Sequence, residues 1–426
     1  MIVWLINTII LGSLCYLIFK KSSDNPLKAY FLPALLLKLS TGIFVGLLYK
    51  FYYNTQGDTF SLFHLASYLS GLFPEQLENY LRILFLNEFD PKSKTIFFVW
   101  NQPRAMYFIK LISVVNIFTG SNYWLTSLYL SLFSFYGNWK LANYLGKVYS
   151  IPNYLTALAF LFFPSYVFWT SGVLKESIMS GIICLLVVAV IELIRKEPNR
   201  FKNLLTIVVG FYILFYLKYY YAAISGAVLL AFAFSYILTA RFQLTKSVQV
   251  FLFFLTMLLV FVGVSWLHPN MQLDYFPVAL FTNYTATLEL QEVPDYVFSN
   301  FTPDWVGIIR NLPQALFIGI FEPGIWSAKA NLQLFAALEN LFLLVTCLTT
   351  IVYRIYIQNF RLKPEAVALI TYIILSANFM ALASPNYGSL LRYKTGYLPF
   401  LILAIGYLNP ALEYFFSGTE IGRKHS

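Results

Sequence analysis

Charge is what this sequence has least of. Only 11% of its 426 residues are Asp, Glu, Lys or Arg, against about 25% in a soluble domain. A chain so poor in charge cannot cover a water-facing surface of its own size. That excludes disorder and coiled coil, and leaves little room for a water-soluble enzyme. Cysteine is scarce too: Cys15, Cys184 and Cys347 all lie in apolar runs without paired spacing, so no disulfide framework or thiolate metal motif is expected. The three histidines, His64, His268 and His425, stand too far apart in sequence for a zinc motif. Acid is the minor sign, 19 residues against 29 basic ones for a net charge of +10. In an apolar chain that excess reads as cytoplasmic loops, and no nucleic-acid partner is expected.

What is abundant is hydrophobic and aromatic: 59% and 19% of the residues, with a mean hydropathy of +0.67. About 20 apolar residues cross a hydrocarbon layer. Stretches of that kind occupy 1–19, 29–51, 105–120, 122–142, 153–171, 177–195, 203–220, 222–240, 247–267, 332–353, 365–384 and 394–414. The first lacks a basic leading region and a cleavage site and is followed by lysines, so it reads as an anchoring helix. The expected fold is all-α, a polytopic transmembrane helical bundle of about 11–12 spans with outer-face juxtamembrane helices, forming a single integral membrane domain over 1–426.

Basic residues orient the spans. Lys20, Lys21 and Lys28 form one cluster, Arg195, Lys196, Arg200 and Lys202 a second, Arg241 and Lys246 a third. Arg354, Arg361 and Lys363 follow, and the tail carries Arg423 and Lys424. From residue 153 onward they fall on alternate loops, which places them and the C-terminus in the cytoplasm. The outer connections are then the long loop 52–104, the turns 171–176 and 218–221, the long segment 268–331 and the turn 385–393. The two long ones hold Asp58, Asp90, Asp274, Asp295 and Asp304. Between residue 52, outside, and residue 150, inside, an odd number of crossings is required. Two stretches are present there, so either one of 105–120 and 122–142 is re-entrant or interfacial, or the basic loop with Lys140 and Lys147 is an exception to the rule. The segment 60–87, broken by Pro74, reads as two amphipathic helices at the outer interface. Segment 310–331, with Pro313, Pro323 and Gly324, reads as a partly inserted hairpin.

Ionisable residues at membrane depth are costly. Lys38, Lys50, Lys110, Glu192 and Glu339 have plain structural readings, at span ends or within reach of an interface or a hydrogen bond. The outward turns differ, because charges recur at the mouths of several helices. Asp58 follows Gly57, Lys175 and Glu176 open a span, and Lys218 lies in a tyrosine-rich turn. Arg310 and Glu322 bracket the expected hairpin, Arg392 precedes the last span, and Arg104 lies at the end of the first outer loop. Cations gathered on one membrane face suit a phosphate or diphosphate headgroup, which arginine grips with two parallel hydrogen bonds. A carboxylate beside them could take a proton from an acceptor hydroxyl or hold a divalent cation with substrate phosphates.

This layout resembles the GT-C class of membrane glycosyltransferases, with an acidic motif in the first outer loop, juxtamembrane helices after it and polyprenyl-phosphate-linked sugars as donors. Gly57-Asp58-Thr59 and the 60–87 stretch occupy that place here, Asn101-Gln102-Pro103-Arg104 resembles the start of the following span, and Pro164 through Glu176 the later outer loop, where Glu176 would be a second functional acid. The motif differs in following the second apolar stretch and in being a lone Asp, and no soluble C-terminal domain is expected. The C-terminal half, through Asn386, Gly388, Leu390, Leu391, Arg392 and Tyr393, is similar to bacterial O-antigen-type polymerases. The resemblance implies a glycosyltransferase of the bacterial inner membrane using polyprenyl-phosphate-linked glycans, active in cell-surface polysaccharide or glycoconjugate synthesis. Asp58 would be catalytic, and Lys175, Glu176, Lys218, Arg392, Arg104, Arg310 and Glu322 would bind substrate. No cofactor is expected beyond the divalent cation that Asp58 could hold; the expected partners are the lipid-linked glycan, membrane lipid and, in an assembly machine, other proteins. A repeat-unit polymerase, a transporter and a non-catalytic subunit of an export machine are the alternatives.

Overall fold

The computed structural model describes all residues except 1, 23–24, 53–56, 90, 98, 100, 267–269, 271, 292, 330, 357–362, 408 and 418–426. Asp90, His268, Arg361, Arg423, Lys424 and His425 therefore lie outside the described residues, as does the side chain of Asp58. The rest is helical, with no strand among the described residues. The helices are α1 Ile2–Lys20, α2 Lys28–Leu47, α3 Gly57–Glu75, α4 Leu77–Leu81, α5 Pro91–Ile96, α6 Pro103–Thr119, α7 Tyr123–Tyr149, α8 Asn153–Ala157, α9 Pro164–Trp169 and α10 Lys175–Ile194. After them come α11 Arg200–Phe242, α12 Lys246–Val264, α13 Phe276–Glu289, α14 Trp305–Phe321, α15 Asn331–Tyr356, α16 Pro364–Ala383, α17 Tyr387–Lys394, α18 Leu398–Gly406 and α19 Pro410–Ser417.

Among the described residues, seven helices are long and apolar enough to cross a membrane, or eight if the α18–α19 pair, bent by 93°, is one span. The chain is a multi-pass integral membrane protein. The difference from the twelve apolar stretches has local causes. Stretch 105–120 is α6, only 17 residues long, and 122–142 lies inside α7, which carries Ser127, Ser131, Ser134 and Asn138 in its buried face. Stretch 153–171 is divided where Pro164 starts α9. Stretches 203–220 and 222–240 are both in α11. Its 43 residues would reach about 64 Å, twice a hydrocarbon core. The backbone leaves the helical region at Lys218 (φ −153, ψ 77), so each half is one span long. Segment 310–331 is no hairpin: it is the C-terminal part of α14, with Pro313 inside it, followed by a turn and the start of α15.

The contacts group into two compact units, one of Met1–Val148, Phe160–Val188 and Leu205–Tyr220, the other of Tyr149–Ala159, Ala189–Leu204 and Tyr221–Ser426. In the first, small residues let helices approach closely, as membrane interiors favour. A Cβ on Gly137 would stand 2.4 Å from the Gly181 carbonyl oxygen, and Ser134 and Ser180 share a hydrogen bond of 2.8 Å beside it. With Gly172 N–H on Ser131 Oγ and Cys184 on Asn138, these contacts run α7 and α10 side by side in the same direction. α2 runs against them: Phe31 meets Phe135 and Trp139, Gly42 faces Ser127 and Ser131, and Gly46 faces Tyr123 and Trp124.

That register resolves the odd crossing. At Tyr123 the chain has returned to the end where α2 finished, so α6 makes no net crossing and α7 makes one. Its buried Lys110, Ser113, Asn116 and Thr119 suit an element held by protein rather than lipid. The other end of α7 carries Lys140 and Lys147, near the α1–α2 connection with Lys20, Lys21 and Lys28, where Trp139 donates to Ser22. One end of this unit is therefore rich in lysine, as the cytoplasmic assignment requires.

If the α7–α10 approach holds the first unit together, Gly137→Ala should cost about 1–3 kcal/mol by overpacking. The check is a lowered thermal midpoint in detergent, with Gly12→Ala, around which nothing lies within 4 Å, leaving the midpoint in place. Equal midpoints for the two variants would refute the close approach.

Candidate functional site

The end of the first unit opposite its lysines gathers five of the eight candidate residues. α10 starts there with Lys175 and Glu176. The first half of α11 runs antiparallel to α10, with Gly210 against Ile182 and Leu186, and so returns Lys218 to the same end. The outcome is a bond of 2.7 Å between Lys218 Nζ and Glu176 Oε1, with side chains 4% and 0% exposed. Arg104, exposed at the start of α6, sits over the Tyr219 ring at 5.7 Å. Lys175 is half-buried, 6.0 Å from the centre of the Phe108 ring. α3 also begins at this end: Phe60 stacks on Tyr123 with centroids 4.2 Å apart, and Asp58 lies in the preceding turn of that helix.

The chemistry of these groups is unequal. Glu176 and Lys218 neutralise one another away from water. Such a pair is costly to desolvate and more costly to break, because removing one member leaves a buried charge. Arg104 and Lys175 keep access to the surface and can meet an anion without being dehydrated first. A group of tyrosines lies beside them, Tyr107 stacked on Tyr216 at 5.1 Å and Tyr212 tilted against Tyr216 at 4.9 Å.

The other three candidates belong to the second unit. Glu322, at the end of α14, is buried and accepts four hydrogen bonds: from Gly324 N–H at 2.6 Å, Trp326 Nε1 at 2.9 Å, Ser327 Oγ and Tyr387 OH at 3.0 Å. Three fall on Oε2, which leaves that oxygen no lone pair for a ligand. Burial first, then the charges of Glu322 and Asp295, push the Tyr387 hydroxyl up, so it remains a donor. Tyr387 N–H donates to Asp295 at 2.7 Å, which ties down the turn leading into α17. Arg392 is half-buried on that helix, five residues after Tyr387. Arg310 is not brought to them; it is exposed roughly 18 Å back along α14.

Lys394 was not among the residues singled out, although it stands two positions after Arg392 in a stretch that was. It is 2% exposed and donates to the Ile320 carbonyl and to Asn340 Oδ1 at 2.6 Å, while Asn340 donates to the Pro323 carbonyl. These bonds place the Glu322 knot at the α15 end remote from Arg354, which holds the Tyr407 carbonyl at 2.9 Å. Trp326, Ser327, Tyr387 and Asn340 give no signal in sequence, since only folding turns them toward Glu322. The two deep lysines are both accounted for locally: Lys110 donates to the Leu84 carbonyl and Asn87, and Lys38 to Thr170. Among the described residues no three His, Cys, Asp or Glu side chains gather as a metal site.

One outcome follows. Glu176→Gln or Lys218→Met alone should destabilise by about 3–5 kcal/mol, and Glu176→Leu with Lys218→Met by much less than the sum; additive losses in thermal unfolding would deny the coupling.

Compared with protein-family models, curated proteins and solved structures, the chain matches none of them.

Proposed function

We propose that this protein is a glycosyltransferase of the bacterial inner membrane that takes sugar or glycan from a polyprenyl-phosphate carrier at the extracytoplasmic face, for cell-surface polysaccharide or glycoconjugate synthesis. The observation that carries the reading is the gathering of Arg104, Lys175 and the Glu176–Lys218 pair, with the helix start that bears Asp58, at the end of the first unit away from its lysines. Cations that remain near water beside a neutralised pair suit a phosphate headgroup whose second negative charge develops as the sugar leaves.

In this scheme Lys175 and Arg104 hold the departing phosphate, and Lys218, kept in place by Glu176, adds positive potential behind them. The acceptor's hydroxyl oxygen forms a bond to the anomeric carbon while the bond from that carbon to the phosphate oxygen breaks. The electron pair stays on the phosphate, where fixed cations stabilise it. The hydroxyl proton passes to Asp58. A divalent cation held by Asp58 with the substrate phosphates would supply the same stabilisation of the departing group.

The test is purified protein incubated with a polyprenyl-phosphate sugar, scored by release of the lipid phosphate. Asp58→Asn should abolish release while the protein still inserts and unfolds at its usual temperature. Lys175→Ala should raise the donor KM about tenfold, the size of one charge-assisted hydrogen bond. Full turnover in Asp58→Asn would remove the base assignment, and no release by the unaltered protein would remove the glycosyltransferase reading.

A further inference from the structure

Lys38 stands midway along α2 and is 3% exposed. Among the described residues no carboxylate comes within ion-pair distance of it. Its ammonium lies 5.7 Å from the Tyr166 ring centre and donates to Thr170 Oγ1 at 2.5 Å. A cation at such depth is expensive, and a methionine would fill the same space without that cost. What the lysine does that methionine would not is grip the end of α9.

The gripped segment is the turn 170–174, from which α10 departs with Lys175 and Glu176. Thr170 Oγ1 passes its own proton to the Tyr166 carbonyl at 2.5 Å, so Lys38 must be the donor to it. Two residues on, Gly172 has φ +80, donates to Ser131 at 2.8 Å and accepts from Ser177 at 2.8 Å. Its missing Cβ would stand 3.1 Å from the Gly42 carbonyl, one turn beyond Lys38 on α2. The turn is thus clamped by α2 at two points and by α7 at one. α2 then runs directly into the segment preceding Asp58.

We propose that Lys38 is a positioning residue: through Thr170 it fixes the 170–174 turn and so sets where Lys175 and Glu176 stand at the mouth of the first unit. Its effect on substrate rests on the glycosyltransferase reading; its effect on geometry does not. Two measurements keep these apart. The first places cysteines at Lys175 and Phe108, with Cys15 and Cys347 replaced by serine, and follows their bridging by a short reagent with two thiol-reactive ends. The second measures binding of polyprenyl phosphate to the protein in nanodiscs, with the native cysteines and Lys175 in place.

Lys38→Met should lower the bridging rate and the affinity each by about tenfold, the size of one hydrogen bond to a charged group. The thermal midpoint should hold or rise, because an apolar isostere removes a buried charge. A purely structural lysine would lower the midpoint on removal and leave bridging intact. Thr170→Val should slow bridging as Lys38→Met does, and Thr170→Ser should restore it, which decides the matter even if Lys38→Met does not fold. Bridging unchanged in Thr170→Val overturns the proposal. Slowed bridging in a protein that binds no polyprenyl phosphate upholds the positioning role and removes the substrate assigned to it.

Discussion

A bilayer interior has no water to satisfy a polar group, so each buried donor, acceptor and charge must find its partner within the protein. The bond between Glu176 and Lys218 is where that constraint bears hardest. It joins the start of α10 to the break in α11, and each side chain is almost wholly removed from solvent. The break itself fits the pairing. A continuous 43-residue helix would carry the residues after Lys218 far out of the membrane, whereas a backbone that leaves the helix there divides two spans at the residue whose ammonium meets the carboxylate. The same logic governs Lys38 on Thr170, Lys110 on the Leu84 carbonyl and Lys394 on Asn340. Cations are tolerated only where a turn or helix end offers oxygen.

Much of this was legible in the sequence, and the rest was not for identifiable reasons. Apolar runs of about 20 residues declare themselves whatever their neighbours, so α1, α2, α10, α12, α15 and α16 were plain. Parity of the basic loops required either that one stretch between 52 and 150 does not cross or that the Lys140 and Lys147 loop is an exception, and hydropathy could not decide between them. The answer lay in a glycine contact, Gly46 against Tyr123, because close approach leaves no mark in composition. Glu176 and Lys218 could be assigned to one face from the loops between them; that they touch depends on antiparallel packing of α10 and α11. The knot around Glu322 was illegible altogether, since its donors come from a turn, a loop hydroxyl and a helix start that are distant in sequence.

The two carboxylates that looked alike as candidates, Glu176 and Glu322, differ in what they can still do. Glu322 is committed on four sides, and its neighbours Tyr387, Trp326 and Ser327 are donors with nothing further to gain from a ligand on Oε2. Its evident work is to fix the turn after α14 against the start of α17, which carries Arg392. Glu176 has its charge matched by Lys218, so it holds a cation in place more readily than it attacks a proton. If a base is needed at that mouth, the burden falls on Asp58, for which the resemblance and the placement of α3 argue independently.

Burial also ranks the cations. A buried ammonium already bonded to protein oxygen can add potential to a site but gains little from a new anion, because its hydration was lost and replaced on folding. A half-buried lysine or an exposed arginine gives up water only when the ligand arrives, and a phosphate returns two or three strong hydrogen bonds for that loss. By this criterion Lys38, Lys218 and Lys394 belong to the scaffold, whereas Lys175 is half-buried and Arg104 exposed. Arg104 over Tyr219 is held at the ring face without being neutralised, so its guanidinium edge keeps the planar set of donors that a phosphate accepts. The scaffold cations therefore explain why the turn and the helix starts stand where they do, and the exposed ones keep the hydration that the buried ones have exchanged for protein oxygen.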